Sequence, residues 1–280
     1  MASIFGRAWR RMEKRVRLTA YAARADSFLI SYPKSGRTWF RYVLSHYFAS
    51  VAGVSGPIDL HNMFSVVPNF DLDPTRGIPA YRFRDKNGVI PTVLVSHLGY
   101  RASLFLRRPV VMMVRDPRDV IVSAYFHATR HKHRFEGSLS DFIKDRDQGM
   151  PAMIGYLNRW AEGLSNRDHF VLSYERLSAD TEGQTEAVLG FLGCRIDRTA
   201  LRDAVEAGRF EAMQDRERAE GIPAHDYDRN DVESLRMRRG KAGGFHDYLD
   251  EAQIAEVERL CATQLTSAAK GLVARTGLHV

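Results

Sequence analysis

The sequence predicts an α/β fold, a P-loop-like three-layer arrangement with a central parallel sheet flanked by helices. Three observations predict it. Short apolar runs of strand length recur at 27–32 (SFLISY), 92–97 (TVLVSH), 110–115 (VVMMVR) and 169–174 (HFVLSY). Helical patterns follow the first at 37–49, the third at 117–131 and the fourth at 180–192, and further ones fill 139–164 and 250–275. Strands separated by helices imply a parallel sheet covered on both faces. Finally, YPKSG and RDPRD fall at two of the strand ends, and in such sheets ligands lie beyond the carboxyl ends of the strands.

The bulk composition bounds the reading. A chain of 280 residues with 44% hydrophobic content can bury a full core in one large domain, or at most two. Two distant cysteines, Cys194 and Cys261, imply neither a disulfide framework nor a zinc site. No apolar run reaches the roughly 20 residues of a membrane span, and no signal-peptide core is visible, so a cytoplasmic chain is expected. The formal net charge of +7 is unevenly placed, because residues 1–24 carry seven Arg and Lys against one Glu. The expected organisation is a basic amphipathic arm at 1–24 and a single domain at 25–280.

The elements follow in order. In the arm, Phe5, Trp9, Met12, Val16 and Ala20 recur at helical spacing. Such a helix either packs on the domain with a solvated Arg face, the reading preferred on sequence alone, or meets an anionic membrane surface peripherally. The basic excess is local, and no nucleic-acid face is expected. After the first strand, SYPKSGRT overlays the Walker pattern with its first Gly missing, Arg37 in the Walker lysine position and Lys34 three places early. Backbone amides at the start of the following helix would bind an anion, with Ser35 and Thr38 adding hydroxyls. The displaced lysine argues against nucleoside triphosphate hydrolysis, where Lys and Mg²⁺ meet the β- and γ-phosphates. Segments 52–91 and 214–249 read as long irregular loops, expected to act as binding walls or a lid. The second strand ends at Ser96-His97. The third leads into Arg115-Asp116-Pro117, where Asp116 is a natural N-cap, Pro117 fits the first helical position and Asp119 falls at N3. That leaves Arg115 and Ser123 to share a phosphate.

These motifs together resemble the PAPS-dependent sulfotransferases, the cytosolic family and its bacterial relatives. Tyr32 to Trp39 is similar to that family's 5′-phosphosulfate loop, YPKSGTTW, with one change at Arg37. Arg115 and Ser123 reproduce its Arg and Ser eight residues apart, and RRGKAGGF at 238–245 echoes its R-K-G-x-x-G-D-W element. The resemblance implies a sulfuryl transferase using 3′-phosphoadenosine 5′-phosphosulfate (PAPS), releasing adenosine 3′,5′-bisphosphate, and needing no metal.

The resemblance also implies residue roles. Lys34 would meet the bridging oxygen between phosphate and sulfur, with Ser35, Gly36, Arg37 and Thr38 around the 5′-phosphosulfate. Trp39 would stack on the adenine, with Phe210 opposite and Tyr174 near the base. Arg115, Ser123, Arg238, Arg239 and Gly240 would hold the 3′-phosphate. His97 matches the family's general base, with an acidic residue of 52–91 as the alternative. The family lysine two residues before that base is Val95 here, and its Asp-Trp is Gly244-Phe245. The implied acceptor is a hydroxyl on a sugar, glycolipid, small alcohol or phenol. Two other readings stay open: a P-loop small-molecule kinase, and a nucleotide-binding module without catalysis.

Overall fold

The computed structural model describes residues 4–82, 90–222, 227–235, 237–238 and 240–280. Four strands, β1 (Ser27–Ser31), β2 (Val93–Ser96), β3 (Val110–Val114) and β4 (His169–Ser173), form one parallel sheet in the order β2-β1-β3-β4. Each matches its predicted run to within a residue at either end. Twelve α-helices accompany them among the described residues: α1 (Ile4–Ala22), α2 (Arg37–Val51), α3 (Ala102–Phe105), α4 (Pro117–Phe126), α5 (Leu139–Lys144), α6 (Met150–Leu164), α7 (Tyr174–Ala179), α8 (Thr181–Phe191), α9 (Arg198–Ala207), α10 (Phe210–Glu220), α11 (Glu251–Gln264) and α12 (Ser267–Ala274).

Side-chain alternation along the strands builds two cores, one on each face of the sheet. Phe28, Ile30, Leu94, Val110, Met112 and Val114 face one cluster, centred on Phe105, Phe142 and Trp160. Leu29, Val93, Val95, Val111, Met113 and Leu172 face the other, centred on Phe40, Tyr47 and Phe48. β2 and β3 flank β1 on opposite sides, and the connection from β2 to β3 crosses over β1, so a crevice opens at the carboxyl end of β1.

Three predicted helical stretches differ in detail, each for a local reason. The 139–164 pattern is broken between α5 and α6, where Gly149 has extended backbone and a proline follows in the first turn. Ser138 and Asp141 close a capping box on α5. The 250–275 pattern is broken at Leu265, after which the Thr266 side chain accepts from Ala269 N and caps α12. The 117–131 pattern holds α geometry to Phe126 and then widens to a π-turn at His127–His131. The 214–249 segment is less irregular than expected. Its first residues belong to α10, and Leu235, Met237, Phe245 and Leu249 are buried. Among the described residues, 52–82 holds 3₁₀ turns at Met63–Ser65 and Ile78–Ala80 and isolated bridges from Asn69 to Gly77 and to Val95.

Candidate active site

The loop after β1 is built around two residues with left-handed backbone. Lys34 has φ 74° and Gly36 has φ 91°. A left-handed lysine is uncommon and costs of order 1–3 kcal/mol, strain that the surrounding structure must hold in place. Gly36 is obligatory. A Cβ there would lie 2.5 Å from Tyr174 Cδ2 and 2.9 Å from Met113 Cε. Gly36 is the N-cap of α2 and offers no side chain to the helix amides, so the first turn presents its N–H groups to whatever sits in the loop. Arg37 is the first residue of α2, and its charge acts on the Tyr156 hydroxyl, whose pKa burial pushes well up.

A cavity of about 750 Å³ opens over this loop. Lys34, Gly36, Arg37, Thr38, Trp39, His97, Arg115, Ser123, Tyr174, Phe210, Arg238 and Gly240 all line it. Of the predicted site residues, Ser35 is 2% exposed and is not among the lining residues. Arg239 lies outside the described residues.

Sheet register sets His97 beside the loop. Ile30 pairs with Ser96, so Ser31 and His97 follow side by side at the strand ends. His97 Nδ1 lies 2.7 Å from the Ser31 carbonyl oxygen. That oxygen can only accept, so Nδ1 carries the proton and Nε2 is the basic nitrogen of the neutral ring.

The third strand delivers Arg115. Asp116 caps α4 as expected, accepting from Arg118 N at 2.8 Å, with Pro117 in the first turn. Asp119 does something different from an ordinary third-position acid. Its Oδ2 accepts from Gly243 N and its Oδ1 from Phe245 N, both at 2.9 Å, and Oδ2 also lies 3.4 Å from Arg115 Nη2. Asp119 thus ties the 241–245 segment to α4 and draws it over Arg115. The Phe245 ring, at the position where the resembling family has a Trp, takes the Arg118 guanidinium at 4.2 Å. Arg115 Nη1 donates to the Lys34 carbonyl at 3.4 Å and Nη2 to the Lys241 carbonyl at 3.3 Å. Its guanidinium lies 4.1 Å from the centre of the Tyr174 ring. Its Nε is buried with no hydrogen-bond partner among the described residues. A buried unpartnered guanidinium N–H is costly, and the surrounding contacts of Arg115 must offset it.

Aromatic residues frame the rest. Trp39 Nε1 donates to the Gly208 carbonyl at 2.7 Å, and its ring meets Tyr174 edge-on at 5.6 Å. Gly240 has φ 58°, and a Cβ there would fall 2.1 Å from Phe210 Cδ2, so Phe210 is seated directly against the glycine. Arg238 pairs with Glu233 at 2.8 Å and packs over Phe126 and Tyr248. Beyond these, Met63, Phe64 and Phe142 with Arg41, Asn69 and Arg76 line the remaining wall. Arg41 is 2% exposed, stacks on Phe64 at 4.8 Å, and donates to Asn69 Oδ1 at 2.6 Å.

Sequence reasoning missed Glu175. Its Oε1 accepts from Asp116 N at 2.8 Å, while Oε2 is buried with no hydrogen bond among the described residues. Burial pushes its carboxyl up to about 7, against the pull of the Asp116 amide and the Arg115 charge. Its only sequence signal was its place just after a strand, next to Tyr174.

Comparison with known proteins agrees with this architecture. Residues 24–269 match the family described as the sulfotransferase domain. Human sulfotransferase 2B1 is 28% identical over 203 residues, 68% of this chain, and the match spans only 52% of the human protein's length. The 3-alpha-hydroxysteroid sulfotransferase of Cavia porcellus is 23% identical over 84% of this chain and 82% of its own. Mouse sulfotransferase SULT7A1 complexed with PAP shares the fold with a TM-score of 0.63 at 17% identity, covering 94% of both chains. Retinol dehydratase in complex with retinol and PAP also gives 0.63, at 19% identity, over 86% of this chain and 81% of that one. With the family match spanning almost the whole chain, this protein belongs to the sulfotransferase family.

Proposed function

We propose that this chain moves a sulfuryl group from PAPS to the hydroxyl of a small-molecule or glycoconjugate acceptor by in-line displacement. One observation carries the proposal. Two anion cradles, the α2 amides behind Lys34 and the Arg115–Ser123 pair, open into the same cavity as a histidine whose Nε2 is basic. The PAP named in the mouse and retinol dehydratase structures supports a nucleotide with two separated phosphates.

When bound, the donor supplies the sulfuryl group and a bridging oxygen that gains charge as its bond to sulfur breaks. The α2 amides with Thr38 would hold the 5′-phosphate and sulfate oxygens. Lys34, held in its strained conformation, would place its ammonium at the bridging oxygen. Preorganised charge at a developing anion is commonly the largest single catalytic contribution. Arg37 adds a second cation at the loop, on a site whose Val95 replaces the family lysine. Arg115 and Ser123 would hold the 3′-phosphate, together with Arg238 and Gly240. Trp39 and Phe210 would flank the base, each fixed in orientation by the contacts described above. His97 would take the acceptor's proton at Nε2, leaving its Nδ1–H on Ser31.

The acceptor wall combines Met63, Phe64 and Phe142 with Arg41, Asn69 and Arg76, which suits an alcohol with both apolar and polar faces. Relatives named for hydroxysteroids act on alcohols of that amphipathic kind. The test is incubation with PAPS and a panel of sterols, phenols, sugars and glycolipids, read by mass spectrometry. A sulfo group gained only with enzyme and donor supports the proposal. Release of adenosine 3′,5′-bisphosphate with no acceptor gaining mass anywhere in the panel contradicts the acceptor reading.

A further inference from the structure

We propose that α1 docks the protein on a lipid surface rich in anionic headgroups. Large hydrophobic side chains are exposed at five places among the described residues, and three of them lie on this helix: Trp9 at 64%, Met12 at 54% and Val16 at 63%. Their spacing of three and four residues puts them on one stripe. The other two, Leu98 and Val232, are isolated. A single stray apolar residue needs no explanation, but a stripe on one helix does.

Among the contacts the described residues make, those that fasten α1 to the domain lie in its second half. Leu18 and Ala22 are buried, Thr19 Oγ1 donates to the Ser103 carbonyl, and Arg15 reaches the Ser103 hydroxyl. The stretch from Trp9 to Val16 contributes no buried side chain. The alternative in which the helix simply packs on the domain therefore holds for its C-terminal end and not for the stripe.

The flanking chemistry selects the occupant. Arg10, Arg11, Lys14 and Arg17 are all exposed beside the stripe, and Glu13 alone opposes them, 4.0 Å from Arg17. A narrow apolar stripe with Trp, edged by cations on long flexible stems, suits the headgroup boundary of an anionic bilayer. A second copy of this chain would bring the same cations against themselves. No helix among the described residues is long and apolar enough to cross a membrane, so the contact would be peripheral.

The experiment is co-sedimentation of the full chain with phosphatidylcholine vesicles, with and without phosphatidylserine, at low and high salt. Binding should require phosphatidylserine and weaken with salt. Brominated lipid should quench Trp fluorescence, and Trp9→Phe should abolish that quenching while retaining binding. Replacing Trp9, Met12 and Val16 by Ser together, or Arg10, Arg11 and Lys14 by Glu together, should each lower partitioning at least about tenfold. Unchanged binding of adenosine 3′,5′-bisphosphate in each variant checks the fold. Absence of binding, or equal binding to both vesicle types, overturns the proposal. A dimer in solution that the triple Ser variant dissolves also overturns it, assigning the stripe to a second copy.

Discussion

Replacing Glu175 by Gln should stabilise the protein, and only above a defined pH. The carboxyl is buried beside Arg115, and burial raises it from 4.5 in the unfolded chain to about 7. Between those values the folded state binds more protons than the unfolded one, so stability falls as pH rises through the window. Above the window the loss is complete and constant, and below about pH 4.5 it is absent. The difference corresponds to about 3 kcal/mol, taking 1.36 kcal/mol for each pKa unit. Gln is isosteric and keeps the Oε1 acceptor for Asp116 N, so the start of α4 should not move. Urea denaturation of both proteins at a series of pH values is the assay. Near pH 8.5 the variant should be more stable by about 2–3 kcal/mol, with convergence as the pH approaches 4.5. A difference that does not change with pH would refute the reasoning, because no proton would then be linked to Glu175.

Gly36→Ala should cost about 2–4 kcal/mol by denaturation, combining a left-handed alanine with a ring that must shift. It should also weaken adenosine 3′,5′-bisphosphate binding, since Tyr174 carries both Arg115 and Trp39; unchanged stability would count against the close packing described. Asp119→Ala removes the acceptor of two amides and should cost about 2–4 kcal/mol. Hydrogen exchange at Gly243 and Phe245 should speed up, and unaltered protection there would dismiss the tether. His97→Ala should lower kcat about 10²-fold or more while donor affinity holds, and the defect should shrink with an acidic nitrophenol acceptor. Lys34→Ala should lower kcat for both acceptor types; full activity with the alcohol in either variant would remove that residue from the mechanism.

Much of this site was legible in the sequence because strand ends and helix caps leave local signatures. The Pro-Lys-Ser-Gly turn, the Arg115-Asp116-Pro117 cap and His97 at a strand end were placed by their immediate neighbours. What escaped was long-range. Asp119 has the position of an ordinary first-turn acid, and only the folded chain brings Gly243 and Phe245 to it. Helix α10 was hidden because one of its buried positions is a glutamate. Glu217 is fully buried, accepting from Met237 N at 2.8 Å and from the Tyr227 hydroxyl at 2.7 Å, so hydrophobic periodicity does not mark that face. Helix α9 did carry a signal, with Ala200, Leu201 and Ala204 buried behind an Asp197 cap, but small residues weaken it. The π-turn at His127–His131 leaves no mark in the sequence, since His, Ala, Thr and Arg all tolerate an α-helix.

The central claim is that two separate cradles hold the two phosphates of one nucleotide. Calorimetric titration with adenosine 3′,5′-bisphosphate and with adenosine 5′-monophosphate tests it most directly. The bisphosphate should bind at least about 10²-fold more tightly, because the monophosphate forgoes the charge-assisted contacts of Arg115 and Ser123. In Arg115→Ala that advantage should collapse while monophosphate affinity changes little. Equal affinities for the two nucleotides in the unsubstituted protein would contradict the account.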